Sequence, residues 1–85
     1  MTYQIELRPA ALRALKQIDR QQQDRIRGAI ALLAANPRPP AAKALRGRDG
    51  LRLRVGDYRI IYTIQDDKLV VLIVTIGHRR DVYEK

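Results

Sequence analysis

The run Leu69-Val70-Val71-Leu72-Ile73-Val74-Thr75-Ile76 constrains the fold of this chain more than any other segment. Its side chains are apolar at both even and odd positions, so a strand built from it has no face to turn toward water. The run therefore predicts the central strand of a sheet. With 85 residues and no cysteine, the chain has to build one core by ordinary packing, without a disulfide framework or a zinc site. We predict a single domain over residues 1–85.

The N-terminal part of the chain predicts one strand and two helices. Residues 3–8 alternate between apolar and polar side chains, as in a half-buried strand. Pro9 suits the first turn of a helix, and apolar residues then recur at helical spacing. The polar residues 19–23 interrupt this pattern, and Asp24 can cap a second helix that ends at Asn36-Pro37. Neither helix could bury its apolar stripe alone, so we expect an antiparallel helical hairpin.

The C-terminal part predicts three strands, at residues 51–55, 58–65 and 68–76. They are separated by Gly56-Asp57 and Asp66-Asp67, both of which suit tight hairpin turns. The predicted fold class is α+β, with the element order β-α-α-β-β-β. In this arrangement the three strands form an antiparallel meander, and the N-terminal strand joins the same sheet.

The charge balance bears on the partners of the chain. Seventeen Lys and Arg residues stand against nine Asp and Glu, which gives a formal net charge of +8. Arginine makes up most of the basic set, and its planar guanidinium grips phosphate oxygens in pairs where lysine offers a point charge. The balance favours a polyanionic partner, either a nucleic acid or an acidic protein. Charge alone does not exclude a third interpretation, in which the chain is a basic, soluble domain whose charge binds no particular partner.

The sequence also narrows the expected location and cofactors. Residues 1–6 show no basic-then-apolar signal pattern, and no apolar run approaches the roughly 20 residues needed to cross a bilayer. We therefore expect a cytoplasmic protein without a membrane partner. The acidic residues fall in predicted turns and helices, with no carboxylate cluster to hold a divalent ion, so we expect neither a metal nor another cofactor.

Three arginines are predicted to share one face of the sheet. A two-residue hairpin at Gly56-Asp57 sets Arg54 opposite Arg59, and alternation along the strand puts Arg52 on the same side. Like charges directly opposite each other cost roughly 0.2 to 1 kcal/mol per pair, so this arrangement favours a bound anion such as a phosphate backbone. The alternative is that these arginines only solvate the outer face, as most charged strand residues do.

The C-terminal tail carries a second group of polar residues. His78, Arg79, Arg80 and Tyr83 together supply an acid or base, cations and a phenol beside the basic face. Each also has a plain structural interpretation: a surface or core histidine, a solvated charge run and a core tyrosine with a wet hydroxyl. For His78 the structural interpretation is at least as well founded.

This combination suits cleavage of RNA by the substrate's own ribose hydroxyl. The 2′-oxygen has to lose a proton, the phosphorane-like transition state gains negative charge, and the leaving 5′-oxygen has to be protonated. Arginine serves the second need. A tyrosine serves as the base only if cations lower its pKa from about 10, and Arg59 and Arg79 would act on Tyr83 in that direction.

Three segments carry a resemblance to a known family: Leu45-Arg46-Gly47, residues 51–62, and Gly77-His78-Arg79-Arg80-Asp81-Val82-Tyr83. On these segments, and in its element order over nearly its whole length, the chain resembles the RelE/ParE superfamily of bacterial toxins. The middle segment is shared across the superfamily and indicates the fold. The tail is similar to that of the RelE-type toxins, which are ribosome-dependent endoribonucleases that cut messenger RNA.

The resemblance implies a role for each candidate residue. Arg59 and Arg79 would stabilise the charge of the transition state. Tyr83 would be the general base, and His78 could assist proton transfer or take over as the base. Substrate binding would fall to basic residues of the sheet, its preceding loop and the tail: Lys43, Arg46, Arg52, Arg54 and Arg80.

The resemblance also implies partners. They are the ribosome, messenger RNA and a cognate RelB-like antitoxin, acidic or amphipathic, that blocks the basic face within a toxin-antitoxin hetero-oligomer. Two other functions stay open. A ParE-like toxin would poison DNA gyrase without cutting RNA, although such toxins usually lack the combination of Arg79 and Tyr83. A non-catalytic nucleic-acid-binding module would explain the charge, but not a phenol among cations.

Overall fold

The computed structural model describes residues 2–78, and its elements all lie within that range. In chain order they are β1 Gln4–Leu7, α1 Pro9–Gln17, α2 Arg20–Ala35, β2 Lys43–Ala44, β3 Leu51–Val55, β4 Tyr58–Gln65 and β5 Val70–His78. The strands form one mixed sheet in the order β1-β5-β4-β3-β2, and both helices pack on the same face of it. The predicted α+β class and the predicted order of the main elements are confirmed.

β5 lies inside the sheet, between β1 and β4. It pairs parallel to β1 and antiparallel to β4. The interior position predicted for the apolar run is confirmed, although β4 and not β5 is the middle strand. Antiparallel neighbours can be joined by a tight turn, whereas a parallel pair needs a long connection. Here that connection contains both helices and the rest of the sheet.

The main core lies between the helices and the sheet. Fully buried side chains come from both layers: Leu15, Ile26, Leu33, Ile60, Tyr62, Val71 and Ile73. α1 packs on β5, while α2 packs on β1 and β3. The Tyr62 hydroxyl donates a 2.8 Å hydrogen bond to the carbonyl oxygen of Pro37. Burial raises the pKa of this phenol to about 12, so Tyr62 is a protonated core residue that ties β4 to the connector after α2.

A β-bulge interrupts the pairing of β4 with β5. Ile61 is the register partner of Thr75. The next residue, Tyr62, is the partner of Ile73, which leaves Val74 as an extra residue in β5. A bulge of this kind shifts by one residue which side chains face which side of the sheet. The residues of β5 that follow it therefore lie on the face opposite to the one that simple alternation predicts.

The start of the second helix differs from the prediction. Asp19, and not Asp24, is its N-cap, and the Asp19 carboxylate accepts a 3.3 Å hydrogen bond from the backbone N–H of Gln22. The polar residues expected to form a loop belong to the helix instead. The Gln23 side-chain amide donates a 3.0 Å hydrogen bond to the carbonyl oxygen of Leu15, so it satisfies the end of α1 from within α2. Neither helix of residues 2–78 is long and apolar enough to cross a membrane.

The turn between β4 and β5 is longer than predicted. It takes up residues 66–69 between the paired residues Gln65 and Val70, where the sequence suggested only Asp66-Asp67. Leu69 adopts a positive φ of 55°, a conformation that a bulky residue rarely takes and that sequence patterns do not predict. β5 consequently begins and ends two residues later than the predicted strand at 68–76.

The sheet also contains a strand that the sequence did not predict, the two-residue β2. Its residues pair with Arg52 and Leu51 of β3. The loop that joins these strands closes at Gly50, whose φ is +130°. A Cβ atom there would lie 3.0 Å from Leu45 Cδ1 and 3.1 Å from the backbone oxygen of Tyr62, so only glycine fits without a shift. Two residues are too few for strand periodicity to reveal β2.

A polar cluster of Tyr3, Arg38 and Asp66 joins three distant parts of the chain. Arg38 donates to both carboxylate oxygens of Asp66, at 3.1 and 2.8 Å. The Tyr3 hydroxyl donates to the same carboxylate at 2.6 Å. These hydrogen bonds, first from Arg38 and then from Tyr3, lower the pKa of Asp66 to about 2. The cluster therefore holds the β4–β5 turn against β1 and the connector after α2.

We predict that Asp66 contributes to the acid sensitivity of folding. Because its folded-state pKa is below its ordinary value, its contribution is complete above about pH 4 and is lost as the pH falls toward 2. Asp66→Asn should lower the free energy of unfolding at neutral pH and flatten its decline between pH 4 and 2, measured by urea denaturation at several pH values. Asp67→Asn removes the same charge one residue further along and should keep the parent's decline. Equal slopes for all three proteins would contradict this assignment.

Candidate nucleic-acid interface

The β3–β4 hairpin arranges the arginines as the sequence predicts. Gly56 takes a positive φ of 59° at the first position of the two-residue turn, where a side chain would be strained. Arg54 is the register partner of Arg59, and Leu53 is the partner of Ile60. Leu53 and Ile60 are buried in the main core, so the two arginines lie on the opposite face. The predicted hairpin register is confirmed.

Four basic residues form what we call the basic face: Lys43, Arg52, Arg54 and Arg59. Lys43 pairs with Arg52 across β2 and β3, and Arg54 pairs with Arg59 across β3 and β4. Lys43 and Arg54 are exposed, while Arg52 and Arg59 are half-buried. The unpredicted strand β2 is what brings Lys43 into this group. Two cross-strand pairs of like charge therefore stand next to each other on one face of the sheet.

A small apolar cluster lies on the same face as these basic residues. Ile61 is 2% exposed and Leu45 is 8% exposed, and Val74 packs against them. Ile61 is the register partner of Arg52, so the cluster adjoins the basic residues directly. Arginine side chains commonly lay their apolar stems along such surfaces and keep the guanidinium group in water. The basic side chains therefore stand beside a packed apolar patch on the same face of the sheet.

Charge is distributed unevenly across this side of the sheet. The basic face occupies β2, β3 and β4, whereas Gln4 and Glu6 lie at the other edge, in β1. Arg46 and Arg48 are exposed in the loop between β2 and β3, next to the basic face. Arg48 was not among the predicted residues, because a short irregular loop carries no periodicity that would assign it to a face. The positive potential is therefore concentrated at one end of the sheet.

The structure does not bring His78 together with Arg59. The register partner of Arg59 is Gly77, and that of Tyr58 is His78. Tyr58 packs against the main core, so His78 lies on the helix side of the sheet. The two rings meet edge to face, with centroids 5.6 Å apart and planes at 79°. They line a pocket of about 390 Å³ at the end of α1, together with residues such as Ile18.

Three predicted site residues, Arg79, Arg80 and Tyr83, lie outside the described residues 2–78. Their roles stay predictions. Two tyrosines within the described range are poorly suited to act as a base. The hydrogen bond to Asp66 raises the pKa of Tyr3, and burial raises that of Tyr62 to about 12. Both phenols are therefore held protonated at neutral pH.

Comparison with known proteins identifies relatives over almost the entire chain. The sequence profile of the ParE toxin family of type II toxin-antitoxin systems matches residues 5–83. A RelE-like toxin protein of Escherichia coli is 32% identical, with 98% of this chain and 92% of that protein covered. The mRNA interferase toxin RelE of E. coli K12 is 27% identical, with 100% and 94% covered.

The solved structures that resemble this chain include an archaeal RelE in complex with RelB from Pyrococcus horikoshii. The TM-score is 0.80 at 25% identity, over 96% of this chain and 100% of that one. The likeness spans both helices and the whole sheet, so it includes the strands that carry the basic face.

We predict that a bound anion relieves the repulsion between Arg54 and Arg59. Replacing chloride by phosphate at constant ionic strength should raise the melting temperature of the parent, because an anion that binds only the folded state stabilises it. Arg54→Ala should show a clearly smaller rise, while its stability in chloride stays within about 1 kcal/mol of the parent. Differential scanning fluorimetry measures both.

The control for this experiment is Arg13→Ala, which removes one exposed arginine from α1. Phosphate also stabilises proteins in general, because it is excluded from their surfaces, and the Arg13→Ala variant should keep this general effect. The control should respond to phosphate as the parent does. An equal phosphate effect in Arg54→Ala and in the parent would show that the arginine pair binds no anion.

Proposed function

Because the chain belongs to the RelE/ParE superfamily of type II toxin-antitoxin toxins, we propose that it is a ribosome-dependent endoribonuclease that cleaves messenger RNA and so inhibits translation. The observation that carries this proposal is the basic face, in which two like-charged pairs stand side by side across three strands. Such a concentration of positive charge attracts a polyanion, whose phosphates offset the repulsion between the like charges.

The basic face suits single-stranded RNA held by its phosphates. Arg52 and Arg54 are two residues apart on one strand, so their side chains lie about 7 Å apart along the sheet. Guanidinium groups can bind phosphate oxygens in a bidentate manner, and Lys43 adds a point charge beside Arg52. Arg46 in the adjoining loop extends the positive surface. We assign RNA binding to these residues and to Arg80 in the tail.

The proposed reaction is attack by the ribose 2′-oxygen on the adjacent phosphorus. A base removes the 2′-hydroxyl proton, the new P–O bond forms as the bond to the 5′-oxygen breaks, and that oxygen leaves with a proton from an acid. The products are a 2′,3′-cyclic phosphate and a 5′-hydroxyl end, and the reaction needs no metal. We assign the negative charge of the transition state to Arg59 and Arg79.

We assign the general base to Tyr83. An unperturbed phenol is ionised in only about one molecule in a thousand at pH 7, so it needs neighbouring cations to serve as a base. Tyr83 stands in a sequence that supplies them, four residues after Arg79. The hydrogen bond to Asp66 raises the pKa of Tyr3, and burial raises that of Tyr62 to about 12, so both phenols stay protonated at neutral pH and are poor alternatives as the base.

His78 has a different proposed role from the one the sequence suggested. Its side chain lies on the helix side of the sheet, while Arg59 lies on the other side. We assign His78 to positioning: its contact with Tyr58 holds the last described pair of the β4–β5 ladder, next to the pair formed by Arg59 and Gly77. The residues of the tail follow directly from this point.

The proposed partners are the ribosome, messenger RNA and an antitoxin. Solved relatives include RelE in complex with RelB from Pyrococcus horikoshii and the RelBE2 toxin-antitoxin complex from Mycobacterium tuberculosis. By likeness to them, we propose that a RelB-like antitoxin binds this chain in a hetero-oligomer and shields its basic face. An acidic antitoxin fits the net charge of +8, since complementary fields speed association.

A second candidate function has one specific observation in its favour. The family profile that matches this chain is that of the ParE toxins. A ParE-like toxin of this fold would inhibit DNA gyrase and would not cleave RNA. The two functions are distinguished by mapping the 5′ ends of cellular messenger RNA after brief expression. Cuts within reading frames at a fixed codon phase support the interferase. Intact messenger RNA with a DNA-damage response supports gyrase inhibition.

We predict that Tyr83→Phe lowers the rate of messenger RNA cleavage on ribosomes by about a hundredfold or more, because it removes the ionisable oxygen while keeping the ring. Arg59→Ala should cost a similar or larger factor, since the transition state loses a positioned cation. Arg59→Ala should also raise the pKa of Tyr83, so its rate should keep rising with pH where that of the parent has levelled off. Near-parent cleavage by Tyr83→Phe would exclude the phenol as the base.

A separate prediction tests the positioning role of His78. His78→Phe keeps an aromatic edge against Tyr58 but cannot transfer a proton, so it should cleave at close to the parent rate. His78→Ala loses the ring contact and should lower kcat several-fold while KM for the ribosome complex stays nearly constant. If His78→Phe is as inactive as Tyr83→Phe, His78 is a proton-transfer residue and the positioning role is wrong.

A further inference from the structure

A pocket lies where the end of α1 meets the last residues of β5. The pairing of β1 with β5 stops at Leu7 and Ile73, so residues 74–78 of β5 extend past the end of β1. They have the end of α1 beside them instead of a strand, and the pocket occupies the space between. Its volume of about 390 Å³ is within the range of roughly 300 to 1,000 Å³ that is usual for ligand sites. We call it the α1–β5 pocket.

The lining of the α1–β5 pocket combines aromatic, aliphatic and polar groups. Tyr58 and His78 contribute two rings that meet edge to face. Ile76, which is buried in the main core, contributes aliphatic surface beside them. Gln17 and Asp19, both exposed, contribute an amide and a carboxylate from the end of α1 and the start of α2. Apolar surface with a few polar groups that fix orientation is typical of small-ligand sites.

RNA on the basic face meets no tyrosine of the described chain there. Tyr62 belongs to the main core, and Tyr3 and Tyr58 pack against it on the helix side. Basic residues bind phosphates, which position RNA but carry no information on its sequence, whereas the bases of single-stranded RNA usually stack on aromatic or histidine rings. Tyr62 is fully buried, and Tyr3 donates its hydroxyl to Asp66. The pair of Tyr58 and His78 is therefore the platform that a base can reach.

Gly77 connects the pocket with the basic face. It is the register partner of Arg59, to which the charge of the transition state is assigned, and it also lines the pocket. Neighbouring strands are only about 4.8 Å apart, and glycine puts no side chain in the way. Since β1 has already ended, no further strand lies beyond Gly77 on that side. A nucleotide whose phosphate contacts Arg59 can therefore pass over Gly77 and place its base in the pocket.

We propose that the α1–β5 pocket binds the base of the messenger RNA nucleotide next to the cut and selects a base with an exocyclic amino group. This inference rests on the proposed function for the identity of the RNA. The rings of Tyr58 and His78 contact the plane of the base. The Asp19 carboxylate accepts a hydrogen bond from its amino group, as carboxylates do from the amino group of cytosine.

The Asp19 carboxylate gives the pocket its selectivity. It accepts a 3.3 Å hydrogen bond from the backbone N–H of Gln22, and a carboxylate has room for further donors. Adenine, cytosine and guanine offer an exocyclic amino group, whereas uracil has an acceptor oxygen where cytosine has its amino group. A carboxylate cannot donate a hydrogen bond to that oxygen. Uracil should therefore bind most weakly of the four bases.

A basic side chain of a protein partner is the main alternative occupant. Lysine and arginine also bind to aromatic rings and carboxylates. The net charge of +8 speaks against this occupant, because the chain repels a basic partner and attracts RNA. The position of the pocket beside Arg59 also favours RNA, since the proposed function brings an RNA phosphate to that residue.

The pocket is tested by NMR titration of the purified, isotope-labelled chain with trinucleotides that cannot be cleaved. Each carries 2′-O-methyl groups, which block the attacking oxygen, and they differ only in the central base between two uracils. Those with adenine, cytosine or guanine should shift the backbone amide signals of Ile76 and Gly77. The all-uracil trinucleotide should bind the pocket about tenfold more weakly, the usual scale for one hydrogen bond to a charged group.

Asp19→Asn separates the role of the carboxylate in the pocket from its role as the cap of α2. Asparagine is an equally good N-cap residue, so the helix should keep its stability. Its amide can donate as well as accept, so the all-uracil trinucleotide should now bind as tightly as the others. Asp24→Asn is the matched control, because it removes the same charge from α2 at a residue that does not line the pocket. It should keep the preference of the parent, and thermal melts check that both variants are folded.

Cleavage of messenger RNA on ribosomes is measured for the same proteins, so that the pocket and the proposed function can fail separately. The parent should cut more slowly where uracil adjoins the cut, and Asp19→Asn should remove this difference. If no trinucleotide shifts the signals of Ile76 and Gly77, or if Asp19→Asn keeps the preference of the parent, the proposal is wrong. If argininamide shifts these signals while no trinucleotide does, the pocket serves a protein side chain instead. If the parent does not cleave but its pocket prefers the amino-bearing bases, the pocket stands and the ribonuclease proposal fails.

Discussion

The structure depends on covering a strand that is apolar on both sides. β5 takes hydrogen bonds from β1 on one side and β4 on the other, so neither edge is left to solvent within the described sheet. Its inner residues Val71 and Ile73 are fully buried against the helices. Because β1 runs parallel to β5, the chain between them has to travel far, and it supplies both helices and the remaining strands on the way.

Placing both helices on one face divides the sheet into two sides with different tasks. The helix side holds the main core and carries the stability. The other side needs only the small cluster around Ile61 and Leu45, which leaves β2, β3 and β4 free to present Lys43 and the arginines. Paired strands hold these side chains in fixed rows, so an anion meets cations that need little rearrangement. In the proposed function, the bound RNA would offset the electrostatic repulsion between these clustered cations.

One inserted residue decides which side chains belong to the candidate site. Without Val74 as an extra residue, alternation along β5 would place His78 on the same face as Arg59. With it, His78 meets Tyr58 on the helix side. The sequence around the bulge contains only residues that suit a regular strand, with no glycine to mark it, so the position of the bulge was not predictable. It follows from fitting β5 against β1 and β4 at the same time.

Local sequence patterns were enough to predict the features that repeat over short distances. Strand alternation and the Gly56-Asp57 turn set the hairpin register, and with it the common face of Arg52, Arg54 and Arg59. Features that depend on partners far apart in the chain could be seen only once the chain had folded. The Tyr3 hydroxyl donates a hydrogen bond to Asp66 across 63 positions and so anchors the β4–β5 turn to the start of the chain. The Tyr62 hydroxyl donates another to the carbonyl oxygen of Pro37, 25 positions earlier. Local periodicity records the preferences of neighbours, whereas these contacts exist only after the core has brought separate segments together.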